Sequence, residues 1–194
     1  MKTWEVRFSS PLSFDIERGI IARGKNRNGD TQSVKVTLDT NCFFDYFERN
    51  PRHIQTLVTL ASKGFIELAM TTRVMADTHD KWKGAGISPI WIKIQTFPLL
   101  KTIGTGFRLD ASRLDFEDYL VSENDINTLD RLRKVLDDAQ VEDIDHLFGH
   151  LRDNRDIFIT SDHHFLEHQQ ELKNQFGVVV LKPEDAIKKI RKTH

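Results

Sequence analysis

Asp143 to Asp162 reads DIDHLFGHLRDNRDIFITSD, and the order of elements in that stretch decides the fold. Ile144, Leu147 and Leu151 recur at helical spacing, which predicts a helix over 143–152. Asp156-Ile157-Phe158-Ile159-Thr160 is short, apolar and β-branched, which predicts a strand. A helix therefore feeds a strand, and the strand ends in a carboxylate, Asp162. The alternation continues downstream. Residues 163–174 read as a helix, 176–181 as a strand around Val178-Val179-Val180, and Pro183-Glu184-Asp185 opens a last helix. That helix has acids at its positive end and Lys188, Lys189, Arg191 and Lys192 towards its negative end, as the helix dipole favours.

Upstream, Val34-Lys35-Val36-Thr37-Leu38 predicts an opening strand. Cys42 to Arg49 follows as an aromatic-rich helix. Pro51 starts another, carrying Ile54, Leu57, Val58, Leu60 and Ala61 up to a stop at Gly64. Phe65 to Met70 predicts a strand, with Thr71 or Thr72 capping a helix through Val74, Met75 and Thr78. Ser122 and Asp125 form a capping-box pattern ahead of Ile126, Leu129, Leu132, Val135 and Leu136. Alternating strands and helices predict an α/β protein: a three-layer α/β/α domain around a central, mostly parallel sheet. Residues 1–33 (Trp4, Val6 and Phe8, then an Asn28-Gly29 turn) read as a β-rich N-terminal extension to a domain over 34–194. Within that domain, 83–121 is punctuated by Gly84, Gly86, Pro89, Pro98, Gly104 and Gly106. It reads as a long insertion with short strands such as Ile90 to Ile94.

Composition narrows the function classes. The 194 residues hold 28 Lys+Arg and 29 Asp+Glu, a net charge of −1. An overall field cannot drive nucleic-acid binding, so any basic surface must be local. Cys42 is the sole cysteine. It excludes a disulfide within the chain and a multi-Cys zinc site, and it suits a reducing, cytoplasmic compartment. No apolar run approaches the roughly 20 residues of a membrane span. The N-terminus lacks the apolar core of a signal peptide.

In open α/β sheets, ligands bind outside the carboxyl ends of the strands. Two predicted strands end there in an aspartate, Asp39 and Asp162. Two more acids, Asp77 and Asp143, stand near helix starts that face the same edge. Each has an ordinary reading: Asp39 and Asp162 as helix caps, Asp77 as an exposed acid, Asp143 as part of a helix-start cluster with Glu142 and Asp145. Four carboxylates converging on one place repel unless cations neutralise them. An all-oxygen donor set is chemistry for Mg²⁺ or Mn²⁺.

Val34-Lys35-Val36-Thr37-Leu38-Asp39-Thr40-Asn41 resembles the opening strand of the PIN-domain nucleases. Thr72-Arg73-Val74-Met75-Ala76-Asp77 is similar to the family's Ser or Thr with an acid five residues on, although Asp77 stands where the family usually has Glu. Asp143-Ile144-Asp145-His146 through Phe158-Ile159-Thr160-Ser161-Asp162 resembles its Asp-x-x-His helix start and Phe-x-Thr-x-Asp strand end. The match spans roughly 34–82 and 141–190. It implies an acidic metal site of Asp39, Asp77, Asp143 and Asp162. Asp145 competes with Asp143 as ligand, and Asn41 and Thr160 position carboxylates and phosphate. It further implies Mg²⁺- or Mn²⁺-dependent hydrolysis of RNA to 5′-phosphate and 3′-hydroxyl ends. It leaves equally open a toxin neutralised by an antitoxin, pairing with a second copy of the chain, and a stand-alone nuclease.

Arg49, Arg52, Arg73 and Lys81 are candidate phosphate contacts by position. Trp91, Phe97, Lys101, Phe107, Arg108 and Arg113 suit single-stranded RNA, by stacking and charge, or else a packed insertion. His146 reads as a half-buried helix residue. His163-His164 reads as an exposed helix start, and His79-Asp80 lacks the further histidines of a metal phosphohydrolase. Two other functions compete with the nuclease. One is a PIN fold used as a non-catalytic RNA-binding or protein-interaction scaffold. The other is a receiver domain, which Leu181-Lys182-Pro183 resembles but which the isolated Asp39 does not suit.

Overall fold

The structure is a computed structural model that describes residues 33–49, 52–80, 88–105, 122–136 and 141–193. The expected extension at 1–33 lies outside these residues apart from Ser33. So do Lys81, Phe107, Arg108 and Arg113.

Five strands form one parallel sheet in the order β3-β2-β1-β4-β5. They are β1 (Val34–Leu38), β2 (Ile66–Thr71), β3 (Leu100–Ile103), β4 (Ile157–Ile159) and β5 (Val179–Leu181). The central strand β1 pairs Val36 with Leu68 on one side and with Ile157 on the other. Val34, Val36, Thr37 and Leu38 are buried on both faces, which explains the near-continuous apolar run. The chain steps outwards from β1 to β2 and β3, then returns to β4 and β5 on the far side. The direction of winding thus reverses between β1 and β4, and a crevice opens beyond their carboxyl ends.

Nine helices surround the sheet among the described residues: α1 (Thr40–Phe44), α2 (Arg52–Ser62), α3 (Arg73–Asp80), α4 (Pro89–Gln95), α5 (Glu123–Val135), α6 (Val141–Arg152), α7 (His163–Glu167), α8 (Gln169–Phe176) and α9 (Pro183–Lys192). A π-helical turn, Asp45–Arg49, extends α1. Alternation along β4 sorts the two faces. Phe158 packs with Leu132, Val135, Ile144, Leu147 and Phe148 of α5 and α6. Ile157 and Ile159 face the other way, and α9 packs against β4 and against α2.

Helix ends follow the expected signals. Ser122 and Asp125 close a reciprocal capping box on α5, and Gly64 (φ 75°) stops the chain after α2. The α5 face is narrower than its periodicity predicts: Leu132, Val135 and Leu136 are buried, but Ile126 is half exposed.

The largest correction falls in 83–121. Between 88 and 105 the chain is regular, and Ile90 to Ile94 is helix rather than strand. Ile90, Trp91, Ile94 and Phe97 are buried and Ile92 is exposed, a helical and not an alternating pattern. Pro89 occupies the first turn, where its missing N–H costs nothing. Phe97 then packs edge-on against Phe43 and Tyr46, at centroid distances of 5.5 and 5.1 Å. The following strand, β3, pairs Leu68 with Leu100 and Thr71 with Ile103 as an edge of the sheet.

Close packing sets the height of α6. A Cβ at Gly149 would lie 3.0 Å from the Gly104 carbonyl oxygen and 3.2 Å from Thr71 Cγ2. Helix propensity alone favours alanine by about 1 kcal/mol. Overpacking against backbone costs about 1–3 kcal/mol. Gly149→Ala is therefore expected to lower the melting temperature. A raised melting temperature would show that α6 has room to move.

Candidate functional site

Asp39 leaves β1 at its carboxyl end and is buried. Its Oδ1 accepts from the Thr40 amide at 2.7 Å, capping α1. Its Oδ2 accepts from Thr160 Oγ1 at 2.6 Å. Thr160 in turn accepts from the Asp162 amide at 2.9 Å, and Asp162 Oδ1 caps α7 by accepting from the His164 amide at 2.8 Å. Asp39 and Asp162 thus each cap a helix through Oδ1, α1 and α7 in turn. Asn41 Nδ2 bridges them with long contacts, 3.4 Å to Asp39 Oδ2 and 3.5 Å to Asp162 Oδ2. Two oxygens so close to one nitrogen are less than twice that distance apart.

Asp143 enters from the first turn of α6. Burial pushes its carboxyl up to about 6, and the negative charges of Asp39, Asp162 and Asp77 push it the same way against the pull of His146. Asp145, two positions on along the helix, points about 200° away from Asp143. It is buried, and it is not among the charges that act most on Asp143. Asp39 is also raised, first by burial, against His146 and its hydrogen bonds from Thr160 and Thr40.

Asp77 and His146 depart from their sequence readings. Asp77 is largely buried, not an exposed acid, and Arg73 is buried against it instead of facing substrate phosphate. Arg73 Nε donates to Asp77 Oδ1 at 3.0 Å. Thr40 Oγ1 and His146 Nε2 donate to Asp77 Oδ2 at 2.7 and 2.8 Å. Burial opposes the charge on Asp77, but His146, Thr40 and Arg73 hold its carboxyl well below the usual range. His146 is only 1% exposed, buried rather than half-buried. Its Nδ1 meets Thr71 Oγ1 at 2.6 Å, and its Nε2 lies 3.9 Å from Asp39 Oδ1. Burial lowers its affinity for a proton, yet Asp77, Asp39 and Asp143 raise it further, so the net direction is up. The one available signal for His146 was its position three residues after Asp143, on the same helix face. His163, by contrast, is exposed as expected and pairs with Glu167 at 3.0 Å.

No group of three or more His, Cys, Asp or Glu among the described residues stands as a ready-made cage for an ion. What fits a hard divalent cation is the chemistry of the donors. Asp39, Asp143 and Asp162 supply oxygen only, and their mutual charge opposes ionisation of Asp143.

The strand order and the all-parallel pairing fit a PIN-like α/β fold. No family model and no curated protein matches the sequence. Among solved structures, the chain is similar to one in the crystal structure of VapBC2 from Rickettsia felis bound to a DNA fragment from their promoter. The TM-score is 0.52 at 15% identity, over 77% of this chain and 98% of that one. At that identity the likeness speaks for the fold.

Proposed function

We propose that this chain is a Mg²⁺- or Mn²⁺-dependent endoribonuclease of the PIN type, working as a toxin-type protein restrained by an antitoxin partner. What supports the reading is the fold together with Asp39 and Asp162, which Asn41 Nδ2 contacts at 3.4 and 3.5 Å beyond the ends of β1 and β4, and Asp143, raised first by burial and then by the charges of Asp39, Asp162 and Asp77. Asp39, Asp143 and Asp162 would hold the cation, which supplies Lewis acidity towards the phosphodiester and acidifies water. Thr160 and Asn41 fix the Asp39 and Asp162 carboxylates from the protein side. The attacking group falls to water. Cys42 is buried, donates to the Ile159 carbonyl at 3.3 Å, and has its thiol pushed well up by burial. The partner reading rests on the likeness to a chain of the VapBC2 structure. No helix among the described residues is long and apolar enough to cross a membrane.

One observation favours the scaffold reading instead: both oxygens of Asp77 are occupied by protein donors. The deciding experiment uses a panel of labelled single-stranded RNAs with Mn²⁺, Mg²⁺ or EDTA. Cleavage by the wild type with either metal, none in EDTA and none by Asp39→Asn or Asp162→Asn is the expected result. RNA bound but left intact under every metal condition would select the scaffold.

A further inference from the structure

His150 is fully buried on α6 and takes no part in the proposed chemistry. Its Nδ1 meets Thr37 Oγ1 of β1 at 2.9 Å. Its Nε2 is buried and, among the described residues, meets no hydrogen-bond partner. The ring stands perpendicular to Phe158 of β4, at 89° and a centroid distance of 5.6 Å. In protein interiors an orphaned N–H is rarer than an orphaned acceptor. The ring hydrogen therefore sits on Nδ1 and donates to Thr37, and Nε2 keeps a bare lone pair.

The charges that act on this ring come from the turn after α6. The Arg155 amide donates to the His150 carbonyl at 3.3 Å, folding the turn back onto the helix end. The Arg155 guanidinium is fully buried, and its fork is engaged by Glu67, Asp153 and the Val36 carbonyl. Burial first, and Arg155 second, push the His150 imidazole down to about 3 from its ordinary 6.5, against the pull of Asp153. Asp153 is partly exposed and also held by Lys101. Charged groups on the other neighbouring elements are paired elsewhere: Glu67 of β2 with Arg155, Asp77 of α3 with Arg73 and His146, and Asp125 of α5 with Arg152.

We propose that His150 is a proton latch on the α6–β4 turn: as a neutral imidazole it holds α6 on β1 beside the Arg155 fork, and it takes up a proton only when that turn comes apart. In the closed fold, protonation would place a second buried positive charge beside a guanidinium, with a new N–H facing no acceptor. In the open chain water solvates that charge. Acidification thus acts on the joint between α6 and β4, not only on the carboxylates at the crevice. The latch stands whether or not the chain cleaves RNA or binds a metal. Above 6.5 His150 is neutral in both states, and the stability it brings is full. As pH falls from 6.5 towards 3, the open state binds a proton that the closed state refuses, and stability is lost.

The test is urea unfolding of the full chain in EDTA between pH 8 and pH 5, wild type beside His150→Asn. Asparagine keeps a donor for Thr37 and does not titrate. Asp143 titrates over part of the same range with the opposite sign, so the quantity read is the ratio of the wild-type to the variant unfolding constant. That ratio is expected to rise by about 10–30-fold from pH 8 to pH 5, since one proton is worth up to tenfold per pH unit below the unfolded value. Nuclear magnetic resonance of the ring reads the same site directly: the wild-type His150 signal should keep the shifts of a neutral imidazole at pH 5. A ratio flat with pH, or a His150 ring that titrates above pH 5 in the folded protein, would overturn the latch. Should the Asn variant not fold, the wild-type ring titration decides alone.

Discussion

Asp143→Asn is expected to abolish RNA cleavage while making the metal-free protein more stable. If the proposed metal site is right, losing one of its three carboxylates removes charge stabilisation of about 4 kcal/mol from the reaction, a rate loss of about 10³-fold. The stability effect has the opposite sign. Burial and the neighbouring acids raise Asp143 from 3.8 in the unfolded chain to about 6 in the fold. Between those two values the folded state binds more protons than the unfolded state. The share of the metal-free wild type's stability that Asp143 sets therefore falls as pH rises through that window. Above it, the ionised carboxylate is a standing cost, and asparagine does not carry it. Asp143 is only partly buried, so solvent screening reduces the gain to about 1 kcal/mol, or ~2–4 °C for a chain of this size. The gain should be full at pH 7–8 in EDTA and vanish near pH 4. Mn²⁺ should stabilise the wild type far more than the variant. Melts in EDTA across that pH range, beside cleavage assays, check both halves. A variant less stable than the wild type at pH 8 would mean that Asp143 is paired rather than repelled.

The acids and the histidine differ in how much of them the chain announces. Asp39 follows its apolar run directly and Asp162 stands three residues past the end of its own, and a residue just past a strand of a parallel sheet has only one place to go. Asp143 starts a clear helix immediately before such a strand. These positions are local consequences of pattern. His146 is not, because its partners Thr40, Thr71 and Asp77 are 106, 75 and 69 residues away. Only the strand order brings them together, and an isolated histidine on an apolar helix face reads as a half-buried helix residue. The same limit explains Arg73: four residues before Asp77 it looks like surface charge, and burial of α3 against α6 turns it inwards. The error at Ile90 to Ile94 is of another kind. Ile90, Ile92 and Ile94 alternate as in a strand, whereas Trp91 and Phe97 complete a helical stripe with Ile90 and Ile94. Three isoleucines outweighed the proline that opens the helix.

Arg155→Leu should be the most destabilising single change outside the apolar core, and it should leave metal binding intact. Arg155 lies in the turn between α6 and β4, after Asn154 (φ 48°), and its side chain is fully buried. Its Nη2 donates to the backbone carbonyls of Val36 and Glu67, at 3.0 and 2.7 Å. Its Nη1 donates to Glu67 Oε1 and Asp153 Oδ2, both at 2.8 Å. One guanidinium thereby joins β1 to β2 and fixes the turn that delivers β4. Leucine keeps much of the apolar stem but removes all four bonds. Glu67 and Asp153 are partly exposed and rehydrate, so the cost falls mainly on the lost charge-assisted bonds to the two buried carbonyls, about 3 kcal/mol in all. For this chain length that is ~6–12 °C in melting temperature. Arg155→Lys should recover less than half of it, since one ammonium cannot span two strands and two carboxylates as a planar fork does. Val36 is the middle residue of β1 and Glu67 the second of β2, whereas Asp39 and Asp162 lie beyond the carboxyl ends of β1 and β4. The folded Arg155→Leu variant should accordingly bind Mn²⁺ with wild-type affinity, and its RNA cleavage per folded molecule should be unchanged. A melting temperature within 2 °C of the wild type, set against the ~6–12 °C expected, would show that the fork is decoration. Lost metal affinity would show that the two ends of the sheet are coupled.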